Sequence, residues 1–306
     1  MAATAGEKKS RRIEQGAQRA DAAAPPTVSP IWLLGMGVAT LVVAALCVWG
    51  ALCLMFWQGA WQLLYHPAKT IAHTPASVGL AYNDVAFATT EDGVPRLAGW
   101  WIPAANPSRI TALYLHAADG NIGDTVEALA RMHAANLNVL AFDYRGYGQS
   151  QRAHPSEARW RQDADWALNY LTGTRHVPPD AIVLVGHGLG ANLALDMAAQ
   201  HPELAGVVIE RLLDEPEQVI FNDPRARLVP AHSLVDERWD PIAPATDLRI
   251  PSLWFYTDDP DAGHSPQTAA RVTSVRMEVW LTRGPGERAN YVDALARWAG
   301  DLFIKR

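Results

Sequence analysis

Ala181-Ile182-Val183-Leu184-Val185-Gly186-His187-Gly188-Leu189-Gly190-Ala191-Asn192-Leu193-Ala194-Leu195 is the stretch whose reading decides the fold. An aliphatic run ends in glycines at alternate positions, and small and aliphatic helix formers then continue to about residue 200, which reads as strand, sharp turn and helix. The same alternation extends to both sides. Further strands are expected at 110–116, 138–143, 206–209, 251–256 and 277–281, with helices near 123–135, 156–172, 265–271 and 287–303. Segments 82–89 and 97–102 flank Glu91-Asp92-Gly93 and read as an antiparallel hairpin. Strands alternating with helices imply right-handed crossovers and a mostly parallel sheet of about eight strands covered on both faces, with reactive groups at the carboxyl ends of the strands. There is no internal repeat and no long linker, so this part reads as one domain.

Upstream the pattern changes. Between Asp21 and Lys69 there is no Asp, Glu, Lys or Arg, and residues 31–57 are almost all apolar. At 1.5 Å rise per residue that run exceeds the roughly 20 residues needed to cross a bilayer core. Trp32 at one end and Trp57, Trp61 and Tyr65 at the other suit the membrane interface. A cleaved signal peptide would have an apolar stretch of about 7–15 residues ending in an A-x-A-like site; this run is too long and has no clear one. The reading is an uncleaved transmembrane anchor over 31–61, preceded by a disordered basic tail over 1–30. Lys8, Lys9, Arg11, Arg12 and Arg19 lie before the span, and only Lys69 lies close after it. The positive-inside rule therefore puts the N-terminus in the cytoplasm and the large domain outside, in the periplasm of a bacterium.

Charge and thiols exclude whole classes of function. The tail's five cations and three anions leave it at about +2, so of the net −6 about −8 falls on the remainder. An acidic domain lacks the basic face that phosphates require, so no nucleic-acid partner is expected. Both cysteines, Cys47 and Cys53, lie in the uncharged run. The domain therefore has no disulfide, thiolate metal site or cysteine nucleophile.

Leu64-Tyr65-His66-Pro67, Thr90-Glu91-Asp92-Gly93, Leu97-Ala98-Gly99-Trp100, Asp143-Tyr144-Arg145-Gly146-Tyr147-Gly148-Gln149-Ser150 and Pro155-Ser156-Glu157 occur in an order and spacing that resemble the α/β-hydrolase superfamily. The closest resemblance is to its membrane-anchored serine-hydrolase branch of esterase, depalmitoylase and aminopeptidase-like members, and it covers about residues 62–305. It implies an α/β-hydrolase fold over 62–306, with 211–249 as a small lid. It also implies acyl transfer by a serine on a G-x-S-x-G turn, assisted by a carboxylate and a histidine in the chain order Ser, Asp, His.

The expected machinery is altered at four places. Gly188 occupies the nucleophile position and has no side chain with which to form an ester. Where the family resembles Gly-x-Gly-His, the chain has Gly284-Pro285-Gly286-Glu287, so Glu287 holds the base position, and no histidine follows His264. In the oxyanion loop (Ala117, Ala118 and, after the turn, Leu189), Ala117 replaces a glycine and Asp119 adds negative charge, which opposes oxyanion stabilisation. Only the acid matches, at Asp259, with Asp258 as the alternative.

The resulting expectation is a single-pass membrane protein of α/β-hydrolase fold that is catalytically silent and binds a small acyl or ester-like ligand or a protein partner. Two alternatives stand beside it: a slow or non-standard esterase or thioesterase using water activated by Glu287 or a histidine, and an envelope scaffold with a vestigial pocket. His116, Asp119 and His187 are expected at the pocket mouth. His116 and His187 with Asp259 or Glu287 include metal-ligand residue types, but structural roles suffice for them, and neither metal nor cofactor is expected.

Overall fold

A computed structural model of the chain describes residues 28–257 and 266–304. The expected basic tail lies, up to residue 27, outside the described residues. The chain divides into two compact units between Leu52 and Cys53, and the long apolar helix α1 (Pro30–Gly59) runs through that boundary.

Pro30 opens α1, where its missing N–H costs nothing. Thirty residues at 1.5 Å each make about 45 Å of helix, more than a bilayer's hydrocarbon core. Thr40, a polar residue within it, donates its hydroxyl to the Met36 carbonyl at 2.8 Å, so the backbone satisfies it internally. The helix is long and apolar enough to cross a membrane.

The second unit is built on an eight-stranded sheet. Its strands are β2 (Asn83–Phe87), β3 (Leu97–Ile102), β4 (Thr111–Leu115), β6 (Asn138–Asp143), β7 (Ile182–His187), β8 (Gly206–Glu210), β9 (Ser252–Thr257) and β10 (Arg276–Leu281). Their spatial order is β10-β9-β8-β7-β4-β6-β3-β2. The hairpin β2–β3 is antiparallel and β3 joins β6 antiparallel; every other pairing is parallel. A further two-residue parallel bridge joins β1 (His66–Pro67) to β5 (Asp119–Gly120). Each of the eight strands of the main sheet lies within two residues of its expected ends, whereas β1 and β5 were not expected. Continuous aliphatic runs such as Ile182-Val183-Leu184-Val185 are buried on both sides, as parallel strands under two helical layers must be.

One layer packs Trp160 of α3 (Glu157–Asn169) and Leu193 of α4 (Leu189–Gln200) against the sheet. The other packs Leu129 and Met132 of α2 (Val126–Ala134) with Leu295 and Trp298 of α9 (Glu287–Ile304). Ser156 caps α3 by accepting from the Arg159 N–H. The core also reaches back to Phe56 and Ala60, so the last turns of α1 are part of the domain's packing.

Between β8 and β9 lie three short helices, α5 (Gln218–Phe221), α6 (Ala231–Leu234) and α7 (Ile242–Asp247), in the region read as a lid. It is tied down by polar groups. Tyr65 donates to Glu237 at 2.7 Å, the Trp239 indole donates to the Tyr65 hydroxyl at 3.1 Å, and Trp239 packs edge-on against Trp160. The short helix α8 (Pro266–Ala269) precedes β10.

Candidate active site

At the carboxyl end of β7 the chain turns into α4 through Gly188, at φ 58° and ψ −128°. Residues with a Cβ rarely adopt such a φ, and glycine takes it without strain. The flanking glycines answer to a different constraint, close approach. A Cβ at Gly186 would come within 2.3 Å of the Gly190 carbonyl oxygen, and one at Gly190 within 2.2 Å of the Leu115 carbonyl oxygen. The strand register explains the crowding, since β4 and β7 pair Leu115 with Gly186, which starts the loop at 116–121 directly beside the turn.

Position 188 itself is not open space. A Cβ built there would lie 3.1 Å from the Ala117 Cβ. The Ala117 methyl therefore crowds the place where a side chain at position 188 would start. Leu189 opens α4, so its N–H has no acceptor within the helix and remains an available donor.

A cleft of about 440 Å³ lies over this turn, within the range of small-molecule sites. It is lined by Ala117, Ala118, Asp119, His187, Gly188 and Leu189, all singled out from the sequence. His66, Arg211 and the apolar side chains of Leu63, Leu64 and Val219 also face it.

Two histidine–carboxylate pairs stand on the cleft. Register pairs His187 of β7 with Glu210 of β8, and His187 Nδ1 lies 3.2 Å from Glu210 Oε2. Glu210 is buried, accepts from the Tyr291 hydroxyl, and has Arg131 at 3.9 Å; Arg131 also stacks over the Tyr291 ring. Burial works against its charge, but His187, Arg131 and Tyr291 outweigh burial and hold its carboxyl below the ordinary value. The second pair comes from the β1–β5 bridge, with His66 Nδ1 2.6 Å from Asp119 Oδ1. The negative charge expected to oppose an oxyanion thus has a histidine partner. This pair is exposed, at 57% and 78% for the two side chains.

His116 does not face the cleft, contrary to the expected place at its mouth. It is fully buried, with Nδ1 donating to the Ala117 carbonyl at 2.7 Å and with Tyr144, Tyr147 and Trp160 around its ring. The loop from Leu115 turns its side chain inward, where burial pushes the imidazole down to about 4. Its neighbour Asp143, 3.7 Å from Nε2, accepts from the Ile122 N–H, and burial raises its carboxyl to about 7. In mildly acidic conditions both groups are therefore uncharged, and their proximity does not make an ion pair.

Glu287 begins α9, its N–H donating to the Gly284 carbonyl, and is not among the residues lining the cleft. Asp259 and Asp258 follow the end of β9 and lie outside the described residues. Among the described residues no group of three or more His, Cys, Asp or Glu side chains is placed to hold a metal ion.

Sequence reasoning did not single out Glu210, Tyr291 and Arg131, nor His66 as a site residue. Glu210 could have been found from its strand, since Gly206-Val207-Val208-Ile209 is apolar and the charged residue at its end must be paired. Tyr291 and Arg131 come from helices distant in sequence, and no local pattern marks them.

Comparison with known proteins agrees with this architecture. The family model described as alpha/beta hydrolase fold matches residues 113–232. An uncharacterised protein of Mycobacterium tuberculosis strain H37Rv is 35% identical over 171 residues, 55% of this chain and 59% of that protein. The α/β hydrolase domain-containing protein WAV2 of Arabidopsis thaliana is 31% identical over 155 residues, 48% of this chain and 49% of that protein. The chain thus spans less than two thirds of the length of these relatives. Among solved structures, a Pyrococcus furiosus esterase superposes with a TM-score of 0.58 at 18% identity, covering 79% of this chain and 98% of the esterase. An α/β hydrolase of Vibrio vulnificus gives 0.54 at 21% identity, covering 75% and 82%.

Proposed function

We propose that this chain, which has the α/β-hydrolase fold, is a single-pass, membrane-anchored member of that superfamily that does no serine-based acyl transfer and instead binds a ligand or partner in the inherited cleft. One observation carries the reading. Position 188 holds the elbow backbone of a nucleophile with no side chain on it, and the Ala117 methyl stands 3.1 Å from where that side chain would begin. An acyl-enzyme needs a hydroxyl or thiol at that point, and among the described residues the cleft lining supplies neither.

Treating the purified full chain with a fluorophosphonate probe and a panel of short-chain aryl esters tests this. Neither labelling nor turnover is expected. Labelling at a serine, or turnover lost on Glu287→Gln, overturns it.

A slow hydrolase that activates water directly is the second reading, and the His187–Glu210 pair favours it: a buried carboxylate on Nδ1 orients an imidazole that faces the cleft. Turnover abolished by His187→Gln, without probe labelling, would establish that reading instead.

Anchoring belongs to the proposal as well, supported by the uncharged α1. The cationic residues before it support a cytoplasmic N-terminus and an extracytoplasmic domain. A reporter fused to the C-terminus and active only in the cytoplasm would reverse the orientation.

A further inference from the structure

A larger groove, of about 880 Å³, lies away from Gly188, between the last turns of α1 and the start of α3, and all of its lining belongs to the second unit. Trp57, Gln58, Trp61 and Gln62 form one wall, and Arg159 of α3 and Asp236 complete it. Both charged side chains are exposed, and neither forms an ion pair among the described residues. Arg159 donates one N–H to the His154 carbonyl at 2.7 Å, and the Asp236 carboxylate has no hydrogen-bond partner among the described residues. Opposite charges that share a groove without pairing leave room for a ligand carrying both signs. Gln58 and Gln62 add amide oxygens, which accept hydrogen bonds from a cationic donor.

Position along α1 says which ligand reaches them. From Pro30, at 1.5 Å per residue, Met55 and Gly59 lie about 38 and 44 Å along the helix, past a hydrocarbon core of about 30 Å and inside the roughly 40–45 Å that includes the head groups. A helix that fills the core from its apolar start thus carries Trp57 and the turn to Trp61 into the headgroup layer, where indoles prefer to lie. A hollow of about 340 Å³ shares Trp57, Leu234 and Asp236 with the groove and continues it to Leu54 and Cys53, back along the apolar run of α1. One side of the groove therefore carries unpaired charge, and the other follows the helix towards the bilayer.

We infer that this groove binds a phospholipid with a zwitterionic phosphoethanolamine head, taken from the leaflet that α1 leaves. Arg159 donates to the phosphate, Asp236 and the glutamine amides accept from the primary ammonium, and the acyl chains follow Trp57, Leu54 and Cys53. An anionic phosphoglycerol head would satisfy Arg159 but bring no cation to Asp236, and a choline head has no N–H to donate. The inference rests on the anchoring proposed above and is independent of the cleft over Gly188.

Release of the full chain from carbonate-washed membranes would sink the anchoring and this inference together; retention without a lipid preference would sink the inference alone. Purified full-length protein in maltoside detergent is titrated with phosphatidylethanolamine, phosphatidylcholine and phosphatidylglycerol of identical acyl chains, and with water-soluble glycerophosphoethanolamine. Bound species are read by native mass spectrometry. The ethanolamine lipid is expected to bind saturably and at least about ten-fold more tightly than the other three, roughly the worth of one hydrogen bond to a charged group. Asp236→Asn should erase its preference over the glycerol lipid, and Arg159→Gln should weaken both alike. Both side chains are exposed, so the thermal unfolding midpoint should stay unchanged in each variant. Equally tight binding of another lipid or of the soluble head, a preference that survives Asp236→Asn, or binding indifferent to Arg159→Gln overturns the inference.

Discussion

Gly188 and Ala117 act as a pair. Serine at 188 would take a backbone conformation costing about 1–3 kcal/mol and would place its Cβ 3.1 Å from another methyl. Gly188→Ser is therefore expected to lower the free energy of unfolding by that amount, and adding Ala117→Gly should restore part of it. A double-mutant cycle in chemical denaturant measures the coupling; strict additivity would show that the two side chains do not meet. Glu210 is the other residue on which the site depends. Removing it leaves His187 and the Tyr291 hydroxyl without their acceptor and Arg131 without its counter-charge. Glu210→Ala should cost about 3–5 kcal/mol, the range for breaking a buried ion pair, read from the denaturation midpoint at constant slope. A cost below about 1 kcal/mol would mean that the cluster contributes little.

Strands and helices were legible because each combines a clear hydrophobic period with its own punctuation. The run 138–143 matches β6 at both ends, and Ser156 marks the start of α3 by capping it. The region 211–249 was less readable, since α5, α6 and α7 are each too short to establish a period, and long-range contacts hold them. Tyr65 is the anchor of that region: it donates to Glu237, receives the Trp239 indole, and lies more than 170 positions away in sequence. Tyr65→Phe should therefore raise hydrogen exchange in 211–249 while β7 and β8 keep their protection. Equal loosening of lid and sheet would contradict this local role. The same distinction applies to the site. The turn at 186–190 was readable as a local motif, whereas the partners of His187 and Asp119 were not, because strand register and a two-residue bridge bring them together.

At the scale of the whole molecule, buried acids give the domain a characteristic response to pH. Asp143 keeps its proton to about pH 7 in the folded state, against 3.8 for the ordinary carboxyl. The folded state therefore binds more protons than the unfolded chain between those values, and stability falls as pH rises through that window. One such group contributes up to about 1.4 kcal/mol per pH unit. Asp163, also raised by burial, to about 6, contributes in the same direction. The buried His116, held down to about 4, works in the opposite sense below its ordinary value and offsets Asp163 there, so denaturation at pH 4.5, 6 and 7.5 should show stability declining with pH chiefly through Asp143, and Asp143→Asn should flatten the decline. An unchanged slope in that variant would mean that Asp143 ionises normally. The long apolar helix was visible in the sequence as an absence of charge, but the reach of the domain's core back to Phe56 was not, because an apolar helix looks the same whether its end packs on protein or lies in lipid.

If the protein is silent as proposed, the Ala117 methyl also governs which mutational routes would lead to serine-based hydrolysis. A change at 188 alone puts a hydroxyl into a crowded seat, and a change at 117 alone frees space around a residue with nothing to attack with. Each step is unrewarded without the other, so the pair works as a ratchet. A library of single substitutions screened for new esterase activity would miss the route, whereas one that varies 117 and 188 together, with a base supplied beside them, would sample it.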